Sequence, residues 1–400
     1  MSRVDPSLLQ SQAQLLAGNL EIHSDPWPPF HDKVIAFFDE LSRQIDKHWQ
    51  KRFPDLATLC FWLRKRHLET YVQARDMDNR SGLGLAFHIA PNNVPLNFFY
   101  SYAIGLLAGN SNIVRLPSTD FEQITPLLET VNRLFNKPEY GEVYRRSLFI
   151  RYDSDLDLTR YLSKVCQARV IWGGDETVNK IRSLTTSPRT VDIPFANRYS
   201  LALLDGDAVA KLNADEIKRL CEYFYNDAYQ MDQRACSSPA LLCWLNDSEH
   251  QGKQRFWLTL ADIVAHRYSL IHSQAVEKYT HLVKLLADHP NLEPQNIKNN
   301  HIYRLYSKEL TSQLFALKGD SGFFIETNLD DVTELFSKLD QQIQTVCYFG
   351  IEPQALADQL IASGCLGVDR IVPIGQALDF DFVWDGMDLI NSLSRIITVR

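Results

Sequence analysis

The strongest constraint on the fold of this chain is a regular alternation of apolar, strand-like runs with helical patterns, which begins at residue 84. In the first half of the chain the strand candidates are 84–89, 112–116, 147–152 and 168–172, and the helix candidates are 96–108, 120–136, 156–166 and about 175–185. Such alternation predicts a parallel sheet with right-handed crossovers, and therefore a Rossmann-like α/β domain. Because the pattern at 96–108 is apolar nearly all round, we expect that helix to be buried between layers.

A second β/α series follows in the other half of the chain. Its strand candidates are 199–204, 239–244, 301–306, 322–326, 344–349 and 368–372, and its helix candidates are 214–229, 255–265, 273–287, 330–339 and 354–363. Residues 1–80 have mostly helical spacing. Thr119 with Glu122 predicts a capping box for the helix at 120–136. The β-branched run at 395–400 predicts a terminal edge strand that adds to a neighbouring sheet or subunit.

The composition excludes several classes of protein. With 400 residues, 45% of them hydrophobic, the chain is long enough for two domains with a sizeable core. Its formal net charge of −8 gives no reason to expect a nucleic-acid partner. The one basic cluster, 64–67, lies in a helical pattern and is interpreted as a solvated helix face. The most apolar stretch, 94–108, is too short to cross a bilayer and the N-terminus has no apolar signal core, so we predict a soluble, cytoplasmic protein.

Cysteine and histidine usage argues against structural metal or disulfides. The chain has 7 cysteines, an odd number, and none of them forms a CxxC pair. This pattern argues for a reducing compartment and against a disulfide framework or a thiolate zinc site. The 11 histidines show no HExxH or other paired metal spacing, so we predict no metal site.

Cys236 is the first candidate for chemistry. Most cysteines are small buried hydrophobes, but Cys236 lies among the polar residues of the segment 233–239, Gln-Arg-Ala-Cys-Ser-Ser-Pro. Pro239 starts an apolar run that predicts a core strand, which places the thiol at a loop-to-strand junction. Arg234 shares this segment and is close enough in sequence to lower the pKa of the thiol, although the two side chains would merely lie on one face.

Asn93 is the second candidate. The segment Gly84–Pro95 predicts a buried strand that ends in a turn bracketed by Pro91 and Pro95, with two carboxamides, Asn92 and Asn93. A turn former is the ordinary role of such an asparagine. However, a turn fixed by two prolines also holds an amide donor in place, as an oxyanion donor requires. His88, on the same strand, is interpreted as a hydrogen-bonded core histidine rather than a base.

Two further segments predict a nucleotide site. A strand runs into Gly173-Gly174 and a helix follows, so backbone amides at that helix start can receive a pyrophosphate, and Gly173, Gly174, Asp175 and Thr177 are the candidates. Asp175 is ambiguous, because it can cap the helix but its charge beside a phosphate is unfavourable. Arg115 and Ser118 lie at the carboxyl end of another strand, where ligands collect in open α/β sheets, and a cation there suits a ribose or ribose phosphate. A surface charge beside a turn is the alternative.

Taken together and in this order, these segments resemble the aldehyde dehydrogenase superfamily, and more closely its acyl-CoA reductase branch of the LuxC type, which supplies aldehyde to bacterial luciferase. The stretches that carry the resemblance are Gly84–Pro95, Gly105–Arg115, Ile171–Asn179, Ala235–Pro239 and Gly367–Gly375. It covers roughly residues 80 to 400.

The resemblance implies two Rossmann-like α/β domains with the active site in the cleft between them. It also implies a C-terminal oligomerisation strand, and therefore a homo-oligomer. We predict an N-terminal helical segment (1–80), a dinucleotide-binding domain (81–198), a catalytic domain with the nucleophilic cysteine (199–375) and a C-terminal segment with the strand (376–400).

The resemblance also implies the roles of individual residues. Cys236 would be the nucleophile, and Asn93 would donate to the oxyanion together with the Cys236 backbone amide. Arg115 stands near the superfamily's ribose-binding lysine, and Gly174 and Asp175 would start the helix that faces the dinucleotide. The implied cofactor is NADPH and the implied substrate is an acyl-CoA or an acyl-carrier thioester. An acyl-protein synthetase is expected as a partner by family analogy alone.

One departure from the superfamily favours reduction. Hydrolytic members carry a glutamate that activates water in the segment entering the catalytic domain, whereas the segment 191–198 here contains no glutamate. Asp192 is a shorter substitute. Without a base that activates water, the acyl-enzyme should persist until it is reduced or transferred. Two alternatives stay open: an NAD(P)-dependent dehydrogenase that oxidises an aldehyde, and a non-catalytic acyl-transfer partner.

Overall fold

The structure, a computed structural model, describes residues 4–153, 156–247, 249–295 and 299–400. The chain divides into two compact units. The first consists of Met1–Ala196 with Phe380–Arg400, and the second of Asn197–Asp379.

The first unit begins with a helical region. Its elements are α1 (Pro6–Gln12), β1 (Gln14–Gly18), α2 (Asp32–Gln44), α3 (Lys47–Arg52), α4 (Pro54–Trp62) and α5 (Lys65–Gln73). The next elements are β2 (Arg80–Gly82), β3 (Leu85–Ile89), α6 (Asn97–Leu107), β4 (Ser111–Arg115), α7 (Ile124–Phe135), a 3-10 turn (Pro138–Tyr140) and α8 (Gly141–Tyr144). They are followed by β5 (Ser147–Arg151), α9 (Leu156–Val165), β6 (Ala168–Trp172), α10 (Asp175–Arg182) and β7 (Val191–Phe195).

A six-stranded sheet forms the centre of this unit, in the order β1-β5-β4-β3-β6-β7. All neighbours pair in parallel except β1, which runs antiparallel to β5. Every residue of β3 and of β6 is buried, as expected for strands covered on both faces. The expected Rossmann-like α/β arrangement is therefore confirmed, and α6 is buried along most of its length.

The sequence misplaced some elements of this unit. The predicted capping box is wrong: α7 begins at Ile124, after an N-cap that makes no side-chain capping bond. Glu122 instead pairs with Arg52 of α3. Two edge strands, β1 and β7, were not predicted, because β1 lies within a mostly helical region and β7 contains Pro194, which only an edge strand tolerates well.

The second unit repeats the α/β scheme. It contains β8 (Tyr199–Asp205), α11 (Gly206–Ala210), α12 (Ala214–Tyr229), β9 (Pro239–Leu245), α13 (Gln251–Arg267), α14 (His272–Asp288), β10 (Glu293–Pro294) and β11 (Tyr303–Tyr306). It continues with α15 (Gln313–Ala316), β12 (Phe323–Leu329), α16 (Thr333–Phe336), β13 (Ile343–Phe349), α17 (Pro353–Ser363) and β14 (Arg370–Pro373). The seven-stranded sheet has the order β10-β11-β12-β9-β8-β13-β14, with β10 antiparallel and the others parallel.

The helix predicted at 330–339 is much shorter in the structure, where α16 covers only Thr333–Phe336. The Glu334 carboxylate accepts hydrogen bonds from the amides of Asp330 and Asp331, both at 2.9 Å. These bonds form a turn before the helix and delay its start.

The C-terminal segment belongs to the first unit. It contains β15 (Val383–Trp384), β16 (Met387–Asp388), α18 (Leu389–Ser392) and β17 (Ser394–Ile396). The terminal strand β17 pairs antiparallel with β2 of the same chain. It covers three residues and is therefore shorter than the predicted run 395–400. Its role in oligomerisation stays a prediction. Across the described ranges, the chain has no helix with the length and apolar character needed to span a membrane.

Candidate active site

The candidate nucleotide residues of the first unit gather at one edge of its sheet. After β3, the chain adds β4 and β5 on one side of β3 in the sheet, and it then adds β6 and β7 on the other side. In open α/β sheets such a reversal of strand order opens a crevice at the carboxyl ends of the strands, where ligands bind. The segments 90–96, 116–123 and 173–174 follow β3, β4 and β6 at that edge.

Asn92 joins two of these segments. Its side-chain oxygen accepts hydrogen bonds from the amide of Ser118 at 2.9 Å and from the hydroxyl of Ser118 at 3.1 Å. Asn93, the next residue, has an exposed side chain. The Asn92 bond therefore fixes the loop that carries Asn93, and Ser118 contributes to the position of that loop.

Arg115 is the last residue of β4 and is half-buried. Its guanidinium lies over the Tyr152 ring, 4.8 Å from the ring centroid. Within the described part of the chain, its Nε atom is buried and has no hydrogen-bond partner. A cation held in this way at the carboxyl end of a strand retains donors for an anionic or hydroxyl ligand.

The helix α10 starts directly after Gly173-Gly174. Its N-cap is Gly174, which has no side chain that could cap the first amides of the helix. Asp175 and Thr177 lie in the first turn, and their side chains are exposed. The first backbone amides of a helix lack partners inside the helix and carry its positive dipole end. The local arrangement therefore suits a phosphate, although Asp175 and Glu176 place two carboxyl groups in the same turn.

His88 is part of the core. Its two ring nitrogens lie 2.8 Å from the Ser101 hydroxyl and 2.9 Å from the Asn112 side-chain oxygen. Burial lowers the pKa of His88 to about 4, so the ring is neutral near pH 7. A side chain at Gly105 would collide with Asn112 and His88, because a Cβ there would lie 2.1 Å from the Asn112 oxygen and 2.8 Å from the His88 ring. These contacts support the interpretation of His88 as a core histidine.

Asp192, the shorter substitute for a water-activating glutamate, forms an ion pair with an arginine. It lies on β7 directly opposite Arg169 of β6. Both of its carboxylate oxygens accept hydrogen bonds from the Arg169 guanidinium, at 2.7 and 2.6 Å. Arg169 is almost fully buried, at 1% exposure, so the Asp192 carboxylate is the counter-ion of an interior cation. Such a two-bond pair fixes the position of the carboxylate and occupies both of its oxygens.

In the second unit, Cys236 lies in the loop between α12 and β9, three residues before the strand begins. Its side chain is partly exposed. Five of the other cysteines are buried, and burial raises the pKa of each: to about 12 for Cys60, Cys166, Cys221 and Cys243, and well above the ordinary value for Cys347. Cys365 is also partly exposed, with its sulfur 3.7 Å from the Gly367 carbonyl oxygen. Cys236 and Cys365 are therefore the accessible thiols.

The loop around Cys236 is held by Gln233. This buried residue adopts a left-handed backbone conformation, with φ of 60°. Its side-chain amide donates to the carbonyls of Pro239 and Phe323, at 3.0 and 2.9 Å, and its oxygen accepts from the amides of Gly322 and Phe323, at 3.0 and 2.9 Å. One side chain thus connects the thiol loop with the starts of β9 and β12.

Further polar contacts fix the same loop. The Ser200 hydroxyl donates to the Cys236 carbonyl at 2.8 Å, and the Ser238 hydroxyl donates to the Asp227 carbonyl at 2.7 Å. Among the described residues, the Cys236 amide donates no hydrogen bond. That amide is therefore available to a developing oxyanion.

Arg234, which the sequence suggested as a cation close to the Cys236 thiol, forms ion pairs with two carboxylates. Its guanidinium lies 3.3 Å from an Asp320 oxygen and 3.8 Å from a Glu277 oxygen. The Arg234 guanidinium is thus shared between two carboxylates on other segments of the second unit.

Sequence reasoning missed two buried residues that support the thiol loop. Lys278 on α14 is 4% exposed, and its ammonium donates to the carbonyl of Ser321 at 2.6 Å, next to the segment that Gln233 binds. Asp227 on α12 is fully buried and accepts from the amides of Gly375 and Ala377, at 2.6 and 3.0 Å. For Asp227 a signal existed, since it lies on a helix face with Phe224 and Ala228, where a lone carboxyl needs partners.

Solved structures with the same fold are aldehyde dehydrogenases. An NAD-dependent benzaldehyde dehydrogenase from Corynebacterium glutamicum matches with a TM-score of 0.61 and 12% identity, over 92% of this chain and 84% of that chain. Aldehyde dehydrogenase 21 from Physcomitrella patens, in complex with its product succinate, matches with a TM-score of 0.64 and 11% identity, over 92% and 84%. A 1-pyrroline-5-carboxylate dehydrogenase from Thermus with bound NAD matches with a TM-score of 0.62 and 12% identity, over 93% and 81%. The protein therefore has the aldehyde dehydrogenase fold.

Within that fold class, the family is defined by the sequence. Residues 62–280, more than half of the chain, match the acyl-CoA reductase (LuxC) family. The chain belongs to this family, as the resemblance of its motifs implied, and is an oxidoreductase of acyl or aldehyde groups. A comparison with curated proteins found no match.

Proposed function

We propose that this protein reduces an acyl thioester, in the first place a fatty acyl-CoA, to the aldehyde through a covalent acyl-cysteine, with NADPH as the reductant. The observation that carries the proposal is the environment of Cys236. Its thiol is partly exposed on a loop whose backbone is fixed by buried side chains, whereas five other cysteines are buried with raised pKa values. An accessible sulfur on a fixed loop is what a nucleophile requires.

The first half of the reaction is acyl transfer to sulfur. The Cys236 thiolate attacks the thioester carbonyl, a new carbon–sulfur bond forms, and the carbonyl oxygen takes the negative charge. The Cys236 amide and the Asn93 side chain are the proposed donors to that oxyanion. When the tetrahedral adduct collapses, the bond to the CoA sulfur breaks, and CoA leaves as a thiolate that takes a proton from solvent.

The second half is reduction of the acyl-enzyme. When bound, the nicotinamide supplies one hydride to the carbonyl carbon of the thioester on Cys236. The resulting thiohemiacetal oxyanion expels the Cys236 thiolate and releases the aldehyde. The residues at the carboxyl edge of the first sheet fit such a dinucleotide: the amides at Gly174 and Thr177 suit its pyrophosphate, and Arg115 and Ser118 suit a ribose and its phosphate. The Gly173 amide donates to the Phe195 carbonyl at 3.1 Å, so Gly173 would contribute through its small size at the start of the helix rather than through its amide.

The absence of a water-activating group at Asp192 explains why the acyl-enzyme would survive until it is reduced. Both Asp192 oxygens are bound to Arg169, so this carboxylate cannot remove a proton from water without breaking an interior ion pair. An aldehyde dehydrogenase that releases a free acid needs that hydrolytic step, and the pairing therefore argues against this class of oxidising enzyme.

The test follows NADPH absorbance while the protein is offered acyl-CoA of several chain lengths, beside Cys236→Ala and Cys365→Ala. Cys365→Ala is the matched control, because Cys365 is also partly exposed. Oxidation of NADPH with formation of aldehyde by the wild type and by Cys365→Ala, but not by Cys236→Ala, is the expected result. Reduction of NAD(P) with an aldehyde, and no reaction with any acyl-CoA, would identify an oxidising dehydrogenase instead.

A further inference from the structure

A basic cavity lies in the N-terminal helical region of the first unit. Its volume is about 590 Å³, which is large enough for a nucleotide-sized ligand. It is lined by the carboxyl-terminal part of α2, by α3, and by the start of α5. Five charged side chains in its wall are basic, Arg43, Lys47, Arg64, Lys65 and Arg66, and two are acidic, Asp39 and Glu69.

These charges do not cancel within the cavity. Asp39 pairs with Arg43, and Glu69 lies 3.5 Å from the Lys65 ammonium. Lys47 and Arg66 have no carboxylate within 4.0 Å among the described residues. In a chain with a formal net charge of −8, the cavity is thus a local region of excess positive charge. A lone anion would be attracted to it by electrostatic steering.

The positive charges also occupy an unfavourable end of a helix. Arg64 is the N-cap of α5, Lys65 and Arg66 follow it, and the first turn contains no acidic residue. A helix N-terminus carries a partial positive charge, so cations there destabilise the helix unless an anion is bound. The Asp39 carboxylate supplies one anion at this end, since it accepts from the Lys65 amide at 2.9 Å, but it also pairs with Arg43. Local violations of this kind are expected at functional sites.

The cavity is connected through packed side chains to the loop that carries Asn93. Trp62, two residues before Arg64, lies 5.4 Å from the Tyr100 ring and 5.8 Å from the Phe380 ring. Tyr100 belongs to α6, the helix that starts directly after that loop. The turn between α4 and α5 therefore presents cations on one side and an aromatic cluster (Trp62, Tyr100, Phe380) toward α6 on the other.

We propose that this basic cavity binds the phosphate groups of a coenzyme A thioester, a proposal that rests on the acyl-CoA reductase function proposed above. Coenzyme A combines a diphosphate and a ribose 3′-phosphate at one end with an uncharged pantetheine arm at the other. The phosphates match the unpaired ammonium of Lys47 and guanidinium of Arg66, and the uncharged arm suits the aromatic cluster. Residues 64–66 of the basic cluster then form a ligand-binding element rather than a solvated helix face.

The test compares the double variant Lys47→Ala/Arg66→Ala with Lys218→Ala/Arg219→Ala, a pair of exposed residues on α12 that changes the net charge equally. At low ionic strength the first variant should raise KM for acyl-CoA at least about tenfold, because charge-assisted contacts to phosphate are lost. Its kcat, and both constants for the acyl-pantetheine that lacks phosphates, should be unchanged. The control should match the wild type with both substrates.

A binding measurement separates this proposal from the function on which it rests. Calorimetric titration of CoA requires no turnover, so loss of CoA affinity in Lys47→Ala/Arg66→Ala supports the cavity even if no acyl thioester is reduced. Equal CoA affinity in the variant and the wild type would overturn the proposal. Binding of ATP as tight as that of CoA would also overturn it, because the ligand would then be a free nucleotide polyphosphate.

Discussion

The two loops that carry Asn93 and Cys236 are built in different ways. The first follows β3 at the carboxyl edge of its sheet, and one asparagine, Asn92, joins it to the neighbouring segment. The second precedes β9 at the amino edge of its sheet and is fixed by Gln233, Ser200 and Ser238, which contact backbone groups on several elements. The comparison suggests a division of labour: an open edge that admits a large ligand, and a rigid loop that holds one sulfur atom.

The largest effect expected from this comparison concerns the sulfur itself. Cys236→Ala should reduce acyl thioester reduction by at least about 10³-fold, because the acyl intermediate forms on this sulfur and the neighbouring hydroxyls of Ser237 and Ser238 are buried. Circular dichroism and thermal unfolding should match those of the wild type, since the replacement is small and the site is partly exposed. Retained turnover would show that the rigid loop serves another purpose.

On the open edge, the strongest effect is expected for Asn93→Ala. Loss of an oxyanion donor should lower kcat by about 10²–10³-fold with little change in KM. Asn92→Ala is the matched control, because it removes a neighbouring carboxamide that binds Ser118. Steady-state kinetics should show the smaller loss for Asn92→Ala, and the reverse order would reassign the donor to Asn92.

Gln233→Ala tests the rigidity of the thiol loop. It leaves the amide of Gly322 and the carbonyls of Pro239 and Phe323 without their partner in a buried place, so the free energy of unfolding should fall by about 3 kcal/mol. The rate of acylation should fall as well. Gln230→Ala, at an exposed position on the same stretch, should change neither in denaturant titration or single-turnover kinetics. Normal acylation by a destabilised Gln233→Ala protein would show that the loop needs no such fixation.

Asp192→Asn tests whether Asp192 replaces the water-activating glutamate of hydrolytic aldehyde dehydrogenases. Removal of one partner of a nearly buried pair should lower the free energy of unfolding by about 3 kcal/mol, because Arg169 keeps its charge in the interior. The lifetime of the acyl-enzyme without NADPH should not change. A longer lifetime in the variant would mean that Asp192 activates water after all.

The smallest expected effect is a pH dependence of the free energy of unfolding, caused by Lys278, the buried lysine that supports the thiol loop. Burial lowers the pKa of Lys278 to about 7 from its ordinary 10.5, so between these values the unfolded chain binds a proton that the folded chain does not. The free energy of unfolding should therefore rise as pH increases from about 7 to 10.5. Urea titrations of wild type and Lys278→Met should diverge with pH in this range, and parallel curves would place the Lys278 charge in contact with solvent.

The sequence placed both loops correctly but revealed little of what holds them. The run before Pro239 and the proline-bracketed turn after β3 are local patterns, so position and residue type could be predicted from neighbours alone. The contacts of Gln233 could not, because Gly322 and Phe323 lie about ninety residues away and meet it only once β9 and β12 pair. Asp192 looked like a substitute base for the same reason: its partner Arg169 becomes apparent only when the register of β6 and β7 is known.

The central claim is that Cys236 carries the acyl group, and intact-mass spectrometry after incubation with acyl-CoA, without NADPH, tests it most directly. The account predicts one added acyl mass on the wild type and on Cys365→Ala, located on the peptide that contains Cys236, and its loss as aldehyde when NADPH is added. Cys236→Ala should gain no mass. An acyl adduct on Cys236→Ala, or a wild-type adduct that NADPH does not discharge, would contradict the account.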